Sequence, residues 1–416
     1  IMPIDVTLRR GGIGPGEIVM WVARSGGGKC LEKNTLVSIP NGLRRIGDIV
    51  GTDVPGWHTL ETSVDVISGN GEVRPVSKVY CNGESDTHIV QLRNGSKIEG
   101  TSNHPLLVSC PSDGIWEWKH MSEIKKGDFC ARSFHRSSYS ALPQNIVPLP
   151  ELDQSSLRLK LSLLSKYPKE MTRDLAVWVS WMLTEGCRRE DGYISFTNKD
   201  QNIVQKLEGL TDSLFGIEWN KIELRGCSVL SKGSHAIRLF LEQCLGISPG
   251  ISKDVIVPPA IFESPSYIVS TFLRAYFEAE GSVQKRTRVE LMSASEQMIR
   301  EIQQLLFRLG VNCKIESKNS RATNGHNITR EYWRLLIAGV RDLECFQEKV
   351  GFYPGSVKSK KLKDSLAKAS FAWKSDIVIG AEFWIKKIKE ERQRIDRELF
   401  SNNGKMAKGT GMEGRL

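Results

Sequence analysis

Two stretches of this chain, about 95 residues apart, repeat one pattern: an apolar helix that stops on an acid and a glycine. The first reads Trp178-Val179-Ser180-Trp181-Met182-Leu183-Thr184-Glu185-Gly186, the second Leu273-Arg274-Ala275-Tyr276-Phe277-Glu278-Ala279-Glu280-Gly281. The segments beyond the two glycines repeat as well. After the helix ending at Gly186 the pattern predicts a strand over Tyr193–Thr197, a helix over Gln201–Phe215 and a strand-like run over Ile222–Leu230. After the helix ending at Gly281 it predicts a strand over Arg288–Met292, a helix over Ser295–Leu309 and a strand over Tyr332–Ile337. Small residues four apart, Ser180/Thr184 and Ala275/Ala279, give each leading helix a flat stripe. Two such helices can pack backbone to backbone, and their terminal carboxylates then meet. A core helix with a capping glycine explains either stretch alone, but it does not explain two in an internal repeat. Carboxylates that close together bind divalent metal and support phosphodiester hydrolysis.

The first third of the chain has another grammar. From Cys30 to about Arg132, short alternating runs are punctuated by Asn41-Gly42, Gly69-Asn70-Gly71, Asn82-Gly83 and Asn94-Gly95, all hairpin signals. They predict a compact, curled β domain. A Ser-, Pro- and Leu-containing linker is expected over 133–170, and a charged helix over Glu382–Phe400 before a Gly- and Lys-containing tail. The 58 Lys and Arg outnumber the 48 Asp and Glu, giving a net charge of +10. That balance favours a polyanionic partner, nucleic acid above all. Nine scattered cysteines without a CxxC pair imply neither a disulfide framework nor a zinc site, and suit a reducing cytoplasm. No apolar run reaches the length of a membrane span and no signal peptide is recognised, so no membrane partner is expected. The chain opens on Ile1, consistent with a fragment.

Between the opening segment and the β domain lies an anomaly. Glu17-Ile18-Val19-Met20-Trp21-Val22-Ala23 suits a buried strand, and Gly26-Gly27-Gly28-Lys29 suits backbone amides plus a lysine gripping phosphate. The next position should carry a hydroxyl for Mg²⁺ and open a helix. It carries the thiol of Cys30, and Thr35–Leu43 reads instead as strand, turn and strand. A variant P-loop with cysteine is one reading. The other is that a second protein begins at Cys30 and interrupts the first.

Cys30 could attack the peptide bond that precedes it if a histidine protonates the leaving nitrogen and a hydroxyl holds the carbonyl or oxyanion. His104, in Thr101-Ser102-Asn103-His104-Pro105, is the candidate histidine and Thr101 the hydroxyl. Alone, His104 is a satisfied turn histidine. Cys30-Leu31 with Thr35 and Val37, followed some seventy residues on by Thr101-x-x-His104-Pro105, resembles the first two conserved blocks of inteins. Asp48 and Gly127-Asp128 fit the same family's β pattern. The resemblance covers about residues 30–132 and implies an all-β, horseshoe-shaped Hint fold and protein self-splicing. Cys30 would be the nucleophile of an N-to-S acyl shift onto the Lys29 carbonyl. Gly28 and Lys29 would then end a host segment similar to the P-loop of replicative helicases, whose missing next residue is expected to be Ser or Thr. Inteins close on His-Asn. The one such pair here, His326-Asn327, lies in a polar hairpin tip, so the C-terminal splicing half is expected to be truncated or supplied in trans by a C-terminal intein fragment.

The repeated part resembles LAGLIDADG homing endonucleases of the two-motif type that inhabit inteins, over about 173–370. This implies an α+β domain with a pseudo-two-fold αββαββα repeat, a saddle of two four-stranded sheets on double-stranded DNA. It further implies Glu185 and Glu280 as Mg²⁺-binding catalytic acids, and a monomer. Glu278 is expected to be an exposed or DNA-side neighbour. By the same resemblance Lys253 is a candidate water-activating lysine, with its second-half counterpart among Lys358, Lys360 and Lys361. Arg286, Arg288, Lys314, Lys318 and Arg321 lie on or near strands expected to face DNA, and a solvated charged face is the plainer reading of them. The target would be the host gene's uninterrupted P-loop coding region. The expected organisation is thus a host segment over 1–29, a splicing domain plus linker over 30–150, an endonuclease over 151–370 and a charged helix and tail over 371–416. The competing readings are a degenerate remnant that binds DNA without cutting it, and a P-loop ATPase or helicase fragment.

Overall fold

The computed structural model describes residues 29–69, 71–110, 114–131, 147–150, 166–250, 252–284, 287–321, 329–369 and 385–398. Most of the expected host segment, including Gly28, lies outside these, as do Arg286, the His326-Asn327 pair and most of the expected linker.

The repeat is real and regular. Its first copy runs helix α1 (Arg173–Thr184), β1 (Gly186–Arg188), β2 (Tyr193–Asn198), α2 (Gln201–Phe215), β3 (Asn220–Leu224), β4 (Cys227–Gly233) and a short helix, His235–Leu239. The second runs α3 (Ser266–Glu280), β5 (Gly281–Gln284), β6 (Arg288–Ser293), α4 (Glu296–Arg308), β7 (Lys314–Arg321), β8 (Thr329–Ala338) and α5 (Val340–Lys349). Each copy pairs its strands antiparallel in the order first, second, fourth, third, so the two sheets share one topology. The sequence marks α2 to the residue because Asp200 caps its start, accepting from the Asn202 amide at 2.9 Å, and Gly216 ends it at a φ of 65°. The short strands β1 and β5 escape a periodicity reading: three and four residues straight after a helix offer too little alternation.

Helices α1 and α3 pack directly on each other. Ser180 and Ala275, from the two small-residue stripes, are fully buried. Nine consecutive residues of α1, Leu175–Leu183, are buried, so it is a central helix rather than a surface one. One continuous core joins both copies, with Trp178, Trp181, Phe272, Tyr276 and Phe277 among its largest side chains. Helix α6 (Val357–Ala367) closes the second copy through Leu362.

The N-terminal segment is mostly β, built of small antiparallel sheets with a one-turn helix at Ile46–Val50 and a 3-10 turn at Met121–Glu123. Strands β9 (Leu36–Ile39) and β10 (Gly42–Arg45) form one hairpin, β11 (Gly56–Ile67) and β12 (Val73–Cys81) a second, and β13 (His88–Gln91) and β14 (Lys97–Gly100) a third. Strand β15 (Pro105–Ser109) lies between β16 (Trp116–His120) and β17 (Phe129–Cys130). Asn41-Gly42 and Asn94-Gly95 sit at hairpin tips as expected. Asn82-Gly83 does not. It links strands of two different sheets, with Gly83 at a φ of 66° serving a corner rather than a hairpin.

The expected linker is not free over its whole length. Leu149 is buried in the large core, and the Leu149 and Met171 amides donate to Lys169 and Val147 carbonyls at 2.8 and 2.9 Å. Its apolar residues signal this return to the core. Among the described residues no helix is long and apolar enough to cross a membrane.

Candidate functional site

Helices α1 and α3 end together, and the acids at their ends share one environment. Glu185 caps α1 and Glu280 is the last residue of α3. Both residues are solvent-exposed as a whole, yet enough protein lies around each carboxyl to desolvate it. Burial raises the pKa of Glu185, opposed by the charge of Lys358. Burial and the negative charge of Glu185 push Glu280 further, up to about 7, again against Lys358. Lys358 is the cation both acids feel. Its ammonium donates to the Glu278 carbonyl and, at 3.2 Å, to the Ala279 carbonyl, so it also caps α3. Desolvation lowers its pKa, while Glu278, Glu280 and Glu185 hold it up.

Of the three lysines open in the sequence, Lys358 is therefore the one brought to the acids. The first turn of α6 carries it there, capped by Ser356, whose hydroxyl accepts from the Ser359 amide at 3.1 Å. Lys253 stands exposed in a loop. Glu278 is not a free neighbour: it accepts from the Tyr353 amide at 2.8 Å and the Ser356 hydroxyl at 3.2 Å, tying down the loop that leads to Lys358. Its position two residues before the helix end turns it sideways, toward that loop.

Two residues that the sequence alone does not single out complete the floor. Arg188 is buried and donates to the Met182 carbonyl at 2.5 Å and the Gly186 carbonyl at 3.4 Å, bracketing Glu185. Beside it lies the phenol of Tyr276, its pKa pushed above the ordinary range by burial and then by Glu280, while a hydrogen bond with Ser293 works the other way. In the second sheet Val283 takes the position of Arg188, by register with Val289 as Arg188 is with Ile194. The available signal is a charge at a strand position whose partner in the repeat is apolar.

Among the described residues no cluster of three or more His, Cys, Asp or Glu could hold a metal ion. Glu185 and Glu280, which interact electrostatically, would be two carboxylate donors, with water and phosphate oxygen at the remaining positions. That donor set fits Mg²⁺, which commonly keeps several waters and binds through one or two carboxylates.

The outer faces of the two sheets differ in charge. In the second, Val289, Leu291, Ile315 and Leu335 turn inward. The alternate residues Arg288, Lys314, Lys318 and Arg334 therefore share the outer face. Lys314 pairs with Glu316 at 2.7 Å, and Arg334 lies between Glu316 at 2.5 Å and Glu290 at 3.7 Å. Arg321 ends β7, beyond the described side chains. In the first sheet the matching face carries Ser195, Ser231 and Asn220 in one row and Thr197, Val229 and Ile222 in the next, all uncharged.

A second constellation surrounds the Lys29–Cys30 peptide. The Cys30 amide donates to the Thr101 hydroxyl at 3.0 Å, and the Thr101 amide donates back to the Cys30 carbonyl at 2.9 Å. The His104 ring donates to the Lys29 backbone carbonyl, and its Nδ1 is buried without a partner. Burial, then the nearby Lys29 ammonium, lowers the His104 pKa to about 4, so the ring is neutral at pH 7. The contacts are the reverse of those expected: the hydroxyl meets the amide nitrogen and the imidazole meets the carbonyl. Burial, and next Cys81, raise the pKa of the Cys30 thiol. Asp128 accepts from the Lys125 amide at 3.1 Å and pairs with Lys119 at 3.7 Å, bracing the turn before β17.

The sequence profile of the LAGLIDADG-like domain matches residues 268–351, from α3 through α5. The replication factor C small subunit of Methanocaldococcus jannaschii is 24% identical over 355 residues, covering 82% of this chain and 17% of that protein. The replicative DNA helicase DnaB of Rhodothermus marinus is 25% identical over 342 residues, 77% of this chain and 32% of that one. The probable translation initiation factor IF-2 of Thermococcus kodakarensis is 27% identical over 304 residues, 71% and 23%. The chain thus spans a third or less of the length of these relatives. Among solved structures, the homing endonuclease I-WcaI bound to its DNA recognition sequence aligns at 13% identity and a TM-score of 0.33, over 46% of this chain and 87% of that one. I-DmoI in complex with DNA and Mn aligns at 14% and 0.31, over 44% and 97%. Full-length DUF199/WhiA from Thermatoga maritima aligns at 14% and 0.32, over 54% and 68%. The chain carries a LAGLIDADG-like domain.

Proposed function

We propose that residues 166–369 form a metal-dependent DNA endonuclease and that residues 30–131 form the N-terminal part of an intein-type splicing domain. The observation that carries the first reading is the acid pair: Glu185 and Glu280 stand at the ends of two packed helices beside Lys358, and the charge of Glu185 raises the proton affinity of Glu280. A bound Mg²⁺ would supply Lewis-acid stabilisation of phosphorane charge. The protein's own contribution is to hold Glu185 and Glu280 as its carboxylate ligands and to keep Lys358, a partly desolvated amine, beside them to orient water. Arg188 fixes the carbonyls that flank Glu185. The outer sheet face with Arg288, Lys314, Lys318 and Arg334 would take the phosphate backbone.

For the second reading, the support is the peptide geometry at Cys30. Sγ would attack the Lys29 carbonyl carbon, with the developing oxyanion against the His104 N–H. The carbon–nitrogen bond breaks, the thiol proton passes to the Cys30 nitrogen, and a thioester and a free amine result. The relatives add support: most of this chain aligns with a small share of proteins as different in name as a replication factor, a helicase and a translation initiation factor. A module that inhabits several hosts would distribute in this way. Two tests separate the readings. Plasmid cleavage with Mg²⁺ examines the first, and release of the segment ending at Lys29 by dithiothreitol examines the second.

A further inference from the structure

We infer that the second repeat of the endonuclease half is also a structural part of the Cys30 site, holding the β13–β14 hairpin and through it Thr101. This inference rests on the acyl-shift reading above. The hairpin tip is seated on α4 and on the free edge of β7. The Ile315 amide donates to the Asn94 carbonyl at 2.8 Å, and Arg300 donates to the Gly95 carbonyl at 2.7 Å. Gln303 is fully buried. It accepts from the Ser96 hydroxyl at 2.9 Å and donates to the Asn94 carbonyl at 3.2 Å. Lys97 pairs with Glu296 at 3.2 Å. The approach is so close that a Cβ on Gly95 would lie 2.3 Å from the Ile315 carbonyl oxygen.

From this anchored tip, β14 runs straight to the reacting bond. The Glu32 amide donates to the Glu99 carbonyl at 2.9 Å, and Leu31 bridges Gly100. Thr101, the next residue, holds the Cys30 amide and carbonyl. Only Ile98–Gly100 therefore separate the last of these contacts, at Lys97, from the group that grips the scissile nitrogen. A second anchor acts in parallel. Arg45 of β10 is buried against Glu301 of α4 at 2.5 Å and donates to the Val257 carbonyl at 2.9 Å. Arg44 pairs with Glu263 at 2.7 Å, and Gly42 lies where a Cβ would meet the Phe262 carbonyl oxygen at 2.2 Å. The anchors use α4, the edge of β7 and the segment that leads into α3, leaving the outer sheet face to DNA. Asn94, Gly95, Ser96, Arg300, Glu301 and Gln303 are positioning residues on this account.

The test compares two glycine variants in the full chain. Gly95 and Gly71 both sit at hairpin tips, with φ of 81° and 82°, but a Cβ at Gly71 meets nothing within 4 Å. Gly71→Ala therefore carries the same backbone strain without touching the endonuclease half. Cleavage at Lys29–Cys30 by dithiothreitol is followed by mass spectrometry. Plasmid binding and circular dichroism are followed alongside. Gly95→Ala should slow cleavage at least about tenfold, as misplacement by an ångström does, with Gly71→Ala near wild type and DNA binding kept in both. If Gly95→Ala loses its fold, Gln303→Ala leaves the backbone intact and should slow cleavage in the same direction. Equal rates in wild type, Gly71→Ala and the folded anchor variants overturn this inference alone. Absence of thiol-induced cleavage in wild type overturns it together with the acyl-shift reading.

Discussion

The charge of Glu185 raises the pKa of Glu280 across the junction of two helices whose sequences repeat at a period of about 95 residues. That relationship makes the pair a proton store, and on the proposed reading a ligand set as well. At pH 8 both carboxylates are ionised and repel; as pH falls through about 7, Glu280 takes a proton and the repulsion ends. Folding without metal is therefore favoured by acid near neutrality: the folded-state pKa lies above the ordinary carboxylate value, so stability is lost as pH rises through it. Glu280→Gln should raise the metal-free melting temperature at pH 8 and leave it nearly unchanged at pH 5. Differential scanning calorimetry at the two pH values checks this. Divalent-ion affinity, measured by titration calorimetry with Ca²⁺, should weaken below pH 7 in wild type.

The Cys30 site predicts its own pH dependence. The thiol is raised above its ordinary value and His104 is neutral down to about pH 4. Thiol-induced cleavage should therefore climb steadily from pH 6 to 9, without the inflection near 6.5 that an exposed histidine would impose. His104→Ala should remove the carbonyl contact and slow the reaction by roughly 10²–10³-fold, the usual loss of one oxyanion donor. A rate profile by mass spectrometry decides both points.

Arg45 and Glu301 tie the β segment to the repeat across 256 positions of chain. Removing one partner of a buried pair leaves the other uncompensated. Arg45→Ala should cost about 3–5 kcal/mol in urea unfolding, whereas Arg45→Met combined with Glu301→Leu should recover most of it. A small loss in the single variant would mean that water reaches the pair.

Charge on the two outer sheet faces is lopsided. Removing the ammonium in Lys318→Ala should weaken binding to all duplexes alike and flatten the salt dependence by about 0.9 in log–log slope per lost phosphate contact. Thr197→Ala, on the uncharged outer face of the first sheet, should leave that slope alone. Gel shifts across a salt series distinguish the two.

Much of this is legible in the sequence because it rests on local signals. The twin Glu-Gly endings, the cap at Asp200 and the hairpin tips Asn41-Gly42 and Asn94-Gly95 each announce themselves within a few residues. The hidden features depend on distance. Lys358 cannot be separated from Lys360 and Lys361 until α6 aims its first turn at α3. Arg188 reads as an ordinary strand cation until its alternation carries it inward beneath Met182. Asn94-Gly95 predicts a turn equally well whether the tip meets water or, as here, Ile315. No spacing within the β segment points to α4.

The most direct test of the central claim is cleavage of supercoiled plasmid bearing the uninterrupted P-loop coding sequence, with Mg²⁺, by wild type, Glu185→Gln, Glu280→Gln and Lys358→Ala. The account predicts linear product from wild type and its loss in both acid variants, with Lys358→Ala strongly slowed. Intact plasmid from wild type, with a retained gel shift, would contradict it and leave a DNA-binding domain without nuclease chemistry.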